Sequence, residues 1–246
     1  MLEAAFWGLV GGLALLLGAV IALNVHLGAR NIGLTMAFGS GVLISAVSYE
    51  LVADAFQSAG GSGAVTLGLA AGALVFFGGD TIIERQGGGN RKDAGGDHEG
   101  GDAKAILLGT VLDGIPESIV IGVSLVGGSG VSVPMVAAVF LSNLPEAIAS
   151  SDGLAKGGMS KGRILGMWTA LALISAIAAG LGYAVVANMA PFAVAFVQAF
   201  AGGALLTMLG STMIPEAYEA SGRWAGLVLV LGFTLSFLLT TLEAVA

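Results

Sequence analysis

The chain has 246 residues, 56% of them hydrophobic and only 10% charged, with a net charge of −7 and a mean hydropathy of +0.94. Soluble domains carry about 25% charged residues, and a soluble fold cannot hide this much apolar surface. The absence of cysteine excludes disulfide frameworks and thiolate metal sites, and the net charge says little about partners, because in a membrane the position of each charge outweighs the sum.

Several apolar runs reach the roughly 20 residues that cross a bilayer, so the chain reads as a polytopic helical membrane protein. The first run, near 5–24, has no basic segment before it and reads as a retained helix, not a cleaved signal. Breaking the rest at glycine, proline and charge clusters gives spans near 33–55, 64–84, 105–126, 133–155, 164–187, 192–214 and 224–243. The expected fold class is therefore an all-α membrane protein, one domain over 1–246, with eight transmembrane helices. Glycine occurs 41 times, and small residues let helices approach closely where no hydrophobic force drives them together. The same property makes homodimerisation through glycine-lined faces compatible with the sequence.

If the spans alternate, all nine basic residues (Arg30, Arg85, Arg91, Lys92, Lys104, Lys156, Lys161, Arg163 and Arg223) fall on one side, and the opposite loops have none. The positive-inside rule then places both termini on the non-cytoplasmic side of a cell inner membrane. The connector 85–104 is rich in glycine and charge, poor in apolar residues, and expected to be a flexible cytoplasmic loop.

The segment GVLISAVSYELVADAF from Gly41 aligns with GALLTMLGSTMIPEAY from Gly203: Leu43 with Leu205, Ser45 with Thr207, Asp54 with Glu216, Phe56 with Tyr218, all offset by 162 residues. These lie in the second and seventh spans, which run in opposite directions. The expectation is an inverted repeat, spans 1–3 against 6–8, around a central pair of spans 4 and 5.

That pair carries a second echo. Asp113-Gly-Ile-Pro116-Glu117 in span four matches Ser142-Asn143-Leu-Pro145-Glu146 in span five. A charge at the bilayer centre costs about 2.5–3.5 kcal/mol on insertion scales, and neither span has a central Lys or Arg to compensate. Asp113 and Glu117 are four apart and share a helix face, as do Ser142 and Glu146, with Asn143 on an adjoining stripe. Each proline also frees a carbonyl four residues earlier, at Leu112 and Leu141. A divalent cation is the simplest species to stabilise such an oxygen cluster. Two alternatives stand beside it: protonated acids hydrogen-bonded between packed helices, and proton or sodium translocation through the same carboxylates. Catalysis fits poorly, because there is no HExxH or GxSxG and no histidine in any span; Gly78-Gly79-Asp80 with Asp113-Gly114 is only a superficial likeness to aspartyl intramembrane proteases. The chain is therefore not expected to be an enzyme or to use an organic cofactor.

Eight spans, a long third cytoplasmic loop, the Pro-Glu motifs of spans four and five, and the Leu-Gly-Ser-Thr-Met-Ile-Pro215-Glu216 end of span seven together resemble the ZIP (Zrt-, Irt-like protein) family of divalent metal transporters, over essentially the whole chain, as a divergent bacterial-type member. The resemblance implies a metal site at the membrane midplane. Glu117 and Glu146 match the family's metal-bridging glutamates, Asp113 stands where its fourth-span histidine belongs, Gly114 where asparagine does, and Ser142 and Asn143 take the first two fifth-span ligand positions. The imidazoles that suit zinc are missing: the two histidines, His26 and His98, fall in connectors. Oxygen ligands favour harder ions such as Mn²⁺ or Mg²⁺, or Fe²⁺, whereas family membership implies zinc, iron, manganese or cadmium as substrate.

Glu50 and Asp54 near the outer end of span two are candidate collectors of cations. Ser150 with Ser151, Asp152, Glu216 and Glu219 are candidates for the exit, and Asp80 and Glu84 beside Arg85 are expected at the interface. The function expected is divalent cation transport toward the cytoplasm by alternating access or through a metal-selective channel. The partners are the lipid bilayer and metal ions, with no nucleic acid.

Overall fold

Out of water, every backbone N–H and C=O must be satisfied within its own segment, so apolar runs of this length become helices. The computed structural model describes residues 1–25, 27–59, 62–85, 103–126 and 130–243, and no strand occurs among them. Within these residues eight helices are long and apolar enough to cross a membrane: α1 (Leu2–Asn24), α2 (Ala29–Ser58), α3 (Gly63–Ile83), α4 (Leu107–Ser124), α5 (Val133–Lys156), α6 (Lys161–Val186), α7 (Pro191–Ser221) and α8 (Trp224–Leu242). They match the expected spans in number and order. The flexible connector expected at 85–104 falls largely outside the described residues, as do both histidines.

Two helices run further than the sequence pattern suggests. α7 continues to Ser221 although Pro215 lies in its path, because a π-helical stretch at Leu209–Met213 precedes the proline and a fresh α-helical segment begins at Ile214. A wider turn accommodates a residue that cannot donate to the carbonyl four back. α2 holds a similar stretch at Val47–Ala53. The two π-helical stretches begin at Val47 and Leu209, the same 162-residue spacing as the sequence echo.

α5 and α2 are the most buried helices, α8 and α3 the least. The outer helices expose large apolar side chains, among them Leu67, Leu74 and Phe77 on α3 and Leu227, Leu231 and Leu238 on α8. These are the faces a bilayer would cover. Helix pairs form where glycine removes a side chain: α2 packs on α8 and α3 on α7, α1 on α5 and α4 on α6, α2 on α5 and α4 on α7, with α1 against α6 and α2 against α7. A Cβ at Gly41 or Gly232 would run into the backbone of the facing helix at Leu229 or Phe38, and Gly72 and Gly203 meet Phe200 and Leu69 in the same way. The central core joins Val47 and Leu51 of α2, Ile121 of α4, and Met135 and Val139 of α5 to Leu205 of α7.

Candidate functional site

Pro116 and Pro145 lie inside α4 and α5, and both helices continue through them. Pro145 removes the donor for the Leu141 carbonyl. That oxygen lies against Gly39 of α2, where a Cβ would stand 2.8 Å away, so the freed carbonyl is packed on a neighbouring backbone. α1 approaches the same kink, with Gly18 placed so that a Cβ would be 2.6 Å from the Leu144 oxygen. The glycines of α1 and α2 thus clamp the middle of α5.

The expected ligands are all buried: Asp113 and Glu117 on α4, Ser142, Asn143 and Glu146 on α5, none more than 4% exposed. Glu146 lies thirteen residues from the start of α5, about 20 Å along its axis. The Ser142 hydroxyl donates to Glu117 Oε1 at 3.0 Å and also lies 3.0 Å from the Val139 carbonyl, joining α4 to α5 at the two motifs. Asn143 turns elsewhere: its Nδ2 donates to the Gly11 carbonyl of α1 at 3.3 Å. Among the described residues no three His, Cys, Asp or Glu side chains converge closely enough to hold a metal ion, so Asp113, Glu117 and Glu146 are not gathered into one coordination shell. What the centre of the bundle contains is a set of buried oxygen and amide groups strung along two kinked helices.

The remaining candidate pathway residues separate by end. Where α2 finishes and α5 begins, a cavity of about 550 Å³ is lined by Glu50, Asp54, Ser132 and Gln198. Ser132 Oγ caps α5 by accepting from the Met135 amide at 3.2 Å and donates to Glu50 Oε2 at 2.7 Å, while Gln198 Nε2 of α7 donates to Asp54 Oδ2 at 2.8 Å. At the other end Asp152 is ion-paired with Lys156 at 2.9 Å, both partly exposed. Such a helical i,i+4 pair contributes roughly 0.3–0.5 kcal/mol. Ser150 and Ser151 are buried, and Ser151 Oγ accepts from the indole N–H of the fully buried Trp168 at 2.8 Å. Glu216, half-buried, lies just after the second π-helical stretch, and Glu219 is exposed.

Sequence reasoning passed over several of these residues. Asp80, expected at the interface beside Arg85, is only 4% exposed on α3, because its neighbour Gly79 brings α3 against the Leu112 side chain of α4. Gln198 is a lone amide in an apolar run, and Ser132 precedes Val133-Pro134 as an N-cap should; both signals were legible. Trp168 gave none, since a tryptophan near a membrane boundary is ordinarily an interfacial anchor. No protein-family model matches the chain, and no curated protein is similar to it in sequence.

Proposed function

We propose that this protein is a divalent metal transporter of the ZIP type, carrying zinc, iron, manganese or cadmium across the cell inner membrane toward the cytoplasm, with both termini on the opposite side. The observation that carries this reading is the burial of Asp113, Glu117 and Glu146 midway along two helices that each hold an internal proline, with Ser142 bridging to Glu117 and no basic residue in either motif. Buried acids at that depth need a compensating charge, and a cation in transit supplies it. Glu117 and Glu146 are the ligands, assisted by Asp113, Ser142 and Asn143, and the ion is substrate, not a resident cofactor. Because no closed shell of three acids exists among the described residues, the ion gathers its ligands on arrival. Glu117 exchanges the Ser142 hydroxyl for the metal, and Asn143 releases Gly11.

The inverted repeat is supported by the helix pairings. Exchanging α1 with α6, α2 with α7, α3 with α8 and α4 with α5 converts each of the interfaces described above into another of them or into itself, and the π-helical stretches keep the 162-residue spacing. Such repeats underlie alternating access, in which one group of helices rocks against the other around a midplane site.

Purified protein in liposomes loaded with a divalent-ion indicator tests the proposal: zinc, iron, manganese or cadmium should enter, and Glu117→Ala or Glu146→Ala should abolish entry. A second reading, proton or sodium translocation through the same carboxylates, is favoured by the lack of a gathered three-acid group among the described residues. It prevails if proton or sodium flux occurs while no divalent ion crosses.

A further inference from the structure

The cavity between α2, α5 and α7 lies about 10 Å from the midplane motifs, counted along α5 from Met135 on its wall to Ser142, seven residues further on. Met135 is fully buried among Leu51, Ile121 and Val139, so apolar side chains separate the two places. The cavity is therefore a distinct site, and its wall has a consistent chemistry. Glu50 and Asp54 each spend one oxygen on a neutral donor, Ser132 and Gln198 respectively. Their other oxygens, Oε1 and Oδ1, accept from no described protein group. Gln198, only 6% exposed, and Thr240 also line the cavity; Oε1 of the one and Oγ1 of the other are themselves buried, with no hydrogen-bond partner among the described residues. Among the described residues no Lys or Arg lines it. The wall thus offers the second carboxylate oxygens of Glu50 and Asp54 in a concave space, with buried amide and hydroxyl oxygens nearby, which focuses negative potential.

A bare metal ion is poorly matched here, since two acids already held by hydrogen bonds would have to replace most of its water. A hydrated ion is well matched, because its surface consists entirely of O–H donors. Six waters at about 30 Å³ each, with the ion, need roughly 200 Å³, which fits within about 550 Å³ and leaves room for bridging water. We infer that this cavity is an outer-sphere vestibule that binds divalent cations with their hydration shell intact, ahead of the apolar layer at Met135 where water is shed. This inference rests on the transport reading for its place in the pathway, but not for the binding itself.

Hexaamminecobalt(III), whose ligands do not exchange, imitates the donor surface of a hydrated cation and cannot be dehydrated. Calorimetric titration of the full-length protein in lipid nanodiscs should show it binding. Glu50→Gln combined with Asp54→Asn should weaken that binding at least tenfold, whereas Glu3→Gln, which removes an exposed acid not lining the cavity, and Glu117→Ala should leave it unchanged. In liposomes the complex should raise the apparent KM for divalent uptake without lowering the maximal rate, and none should appear inside. The vestibule is overturned if the double variant binds as tightly as the native chain, if Glu117→Ala abolishes binding, or if the complex itself is carried across. Should the complex bind as expected while no divalent ion enters, the vestibule stands and the transport reading falls.

Discussion

Ser142 couples the two motifs through a single hydroxyl. In the proposed transport the Ser142 hydroxyl leaves Glu117 Oε1 and turns to the arriving ion as an assisting oxygen ligand, so Ser142→Ala should weaken uptake without abolishing it. Losing a group that supports the metal ligands typically costs about 10–100-fold in metal affinity. We expect the apparent KM to rise about tenfold while the protein remains folded, measured by indicator uptake beside Glu117→Ala, the variant expected to be inactive. Trp168 makes a separable, structural contribution. It fills the cluster formed by Leu15, Ala147, Leu154 and Leu171 and donates to Ser151. Trp168→Phe leaves a buried hydroxyl without its donor and should cost about 1–3 kcal/mol; Trp168→Ala, which also opens a cavity, should cost about 3–5 kcal/mol. Thermal unfolding in detergent ranks the two, and a Phe variant as stable as the native chain would remove the Ser151 bond from the account.

The helix interfaces depend on glycine more than on side-chain interlocking. At Gly41 and Gly203, equivalent positions in the sequence echo, a methyl group would meet the backbone of the facing helix, whereas nothing lies within 4 Å of a Cβ at Gly78. Gly41→Ala and Gly203→Ala should each destabilise by about 1–3 kcal/mol, the range for overpacking. Gly78→Ala should be close to neutral. Folded yield and melting temperature in detergent distinguish them, and equal behaviour of all three would contradict the packing described. Much at this scale was legible in advance: apolar runs long enough to span a bilayer, punctuated by Gly and Pro, located all eight helices. The continuation of α7 through Pro215 was not, because a proline read alone signals an end, whereas here a π-helical stretch precedes it and a fresh α-helical segment follows.

For the whole molecule, the central question is how a bundle of apolar helices tolerates acids at its centre. In the proposed cycle metal and protons compete for the same oxygens, and a protonated carboxylate does not ligate. Lowering the pH at fixed metal concentration should therefore reduce uptake by raising the apparent KM first, with Glu117 and Glu146 responsible. Uptake that stays constant as the medium is acidified would count against direct ligation by these groups.

The sequence by itself determined the number and order of the long apolar helices and placed the Pro-Glu motifs within two of them, because helix length and hydropathy are local properties of the chain. It also brought forward Glu117 and Ser142 as candidate site residues, though not the bond between them. Tertiary structure alone decided which side chains meet: Ser142 with Glu117 across 25 residues, Asn143 with Gly11 across 132, and Gln198 with Asp54 across 144. It also decided that Asp80 is buried. Those partners are fixed by how closely glycine allows each pair of backbones to approach, and that distance belongs to two helices at once.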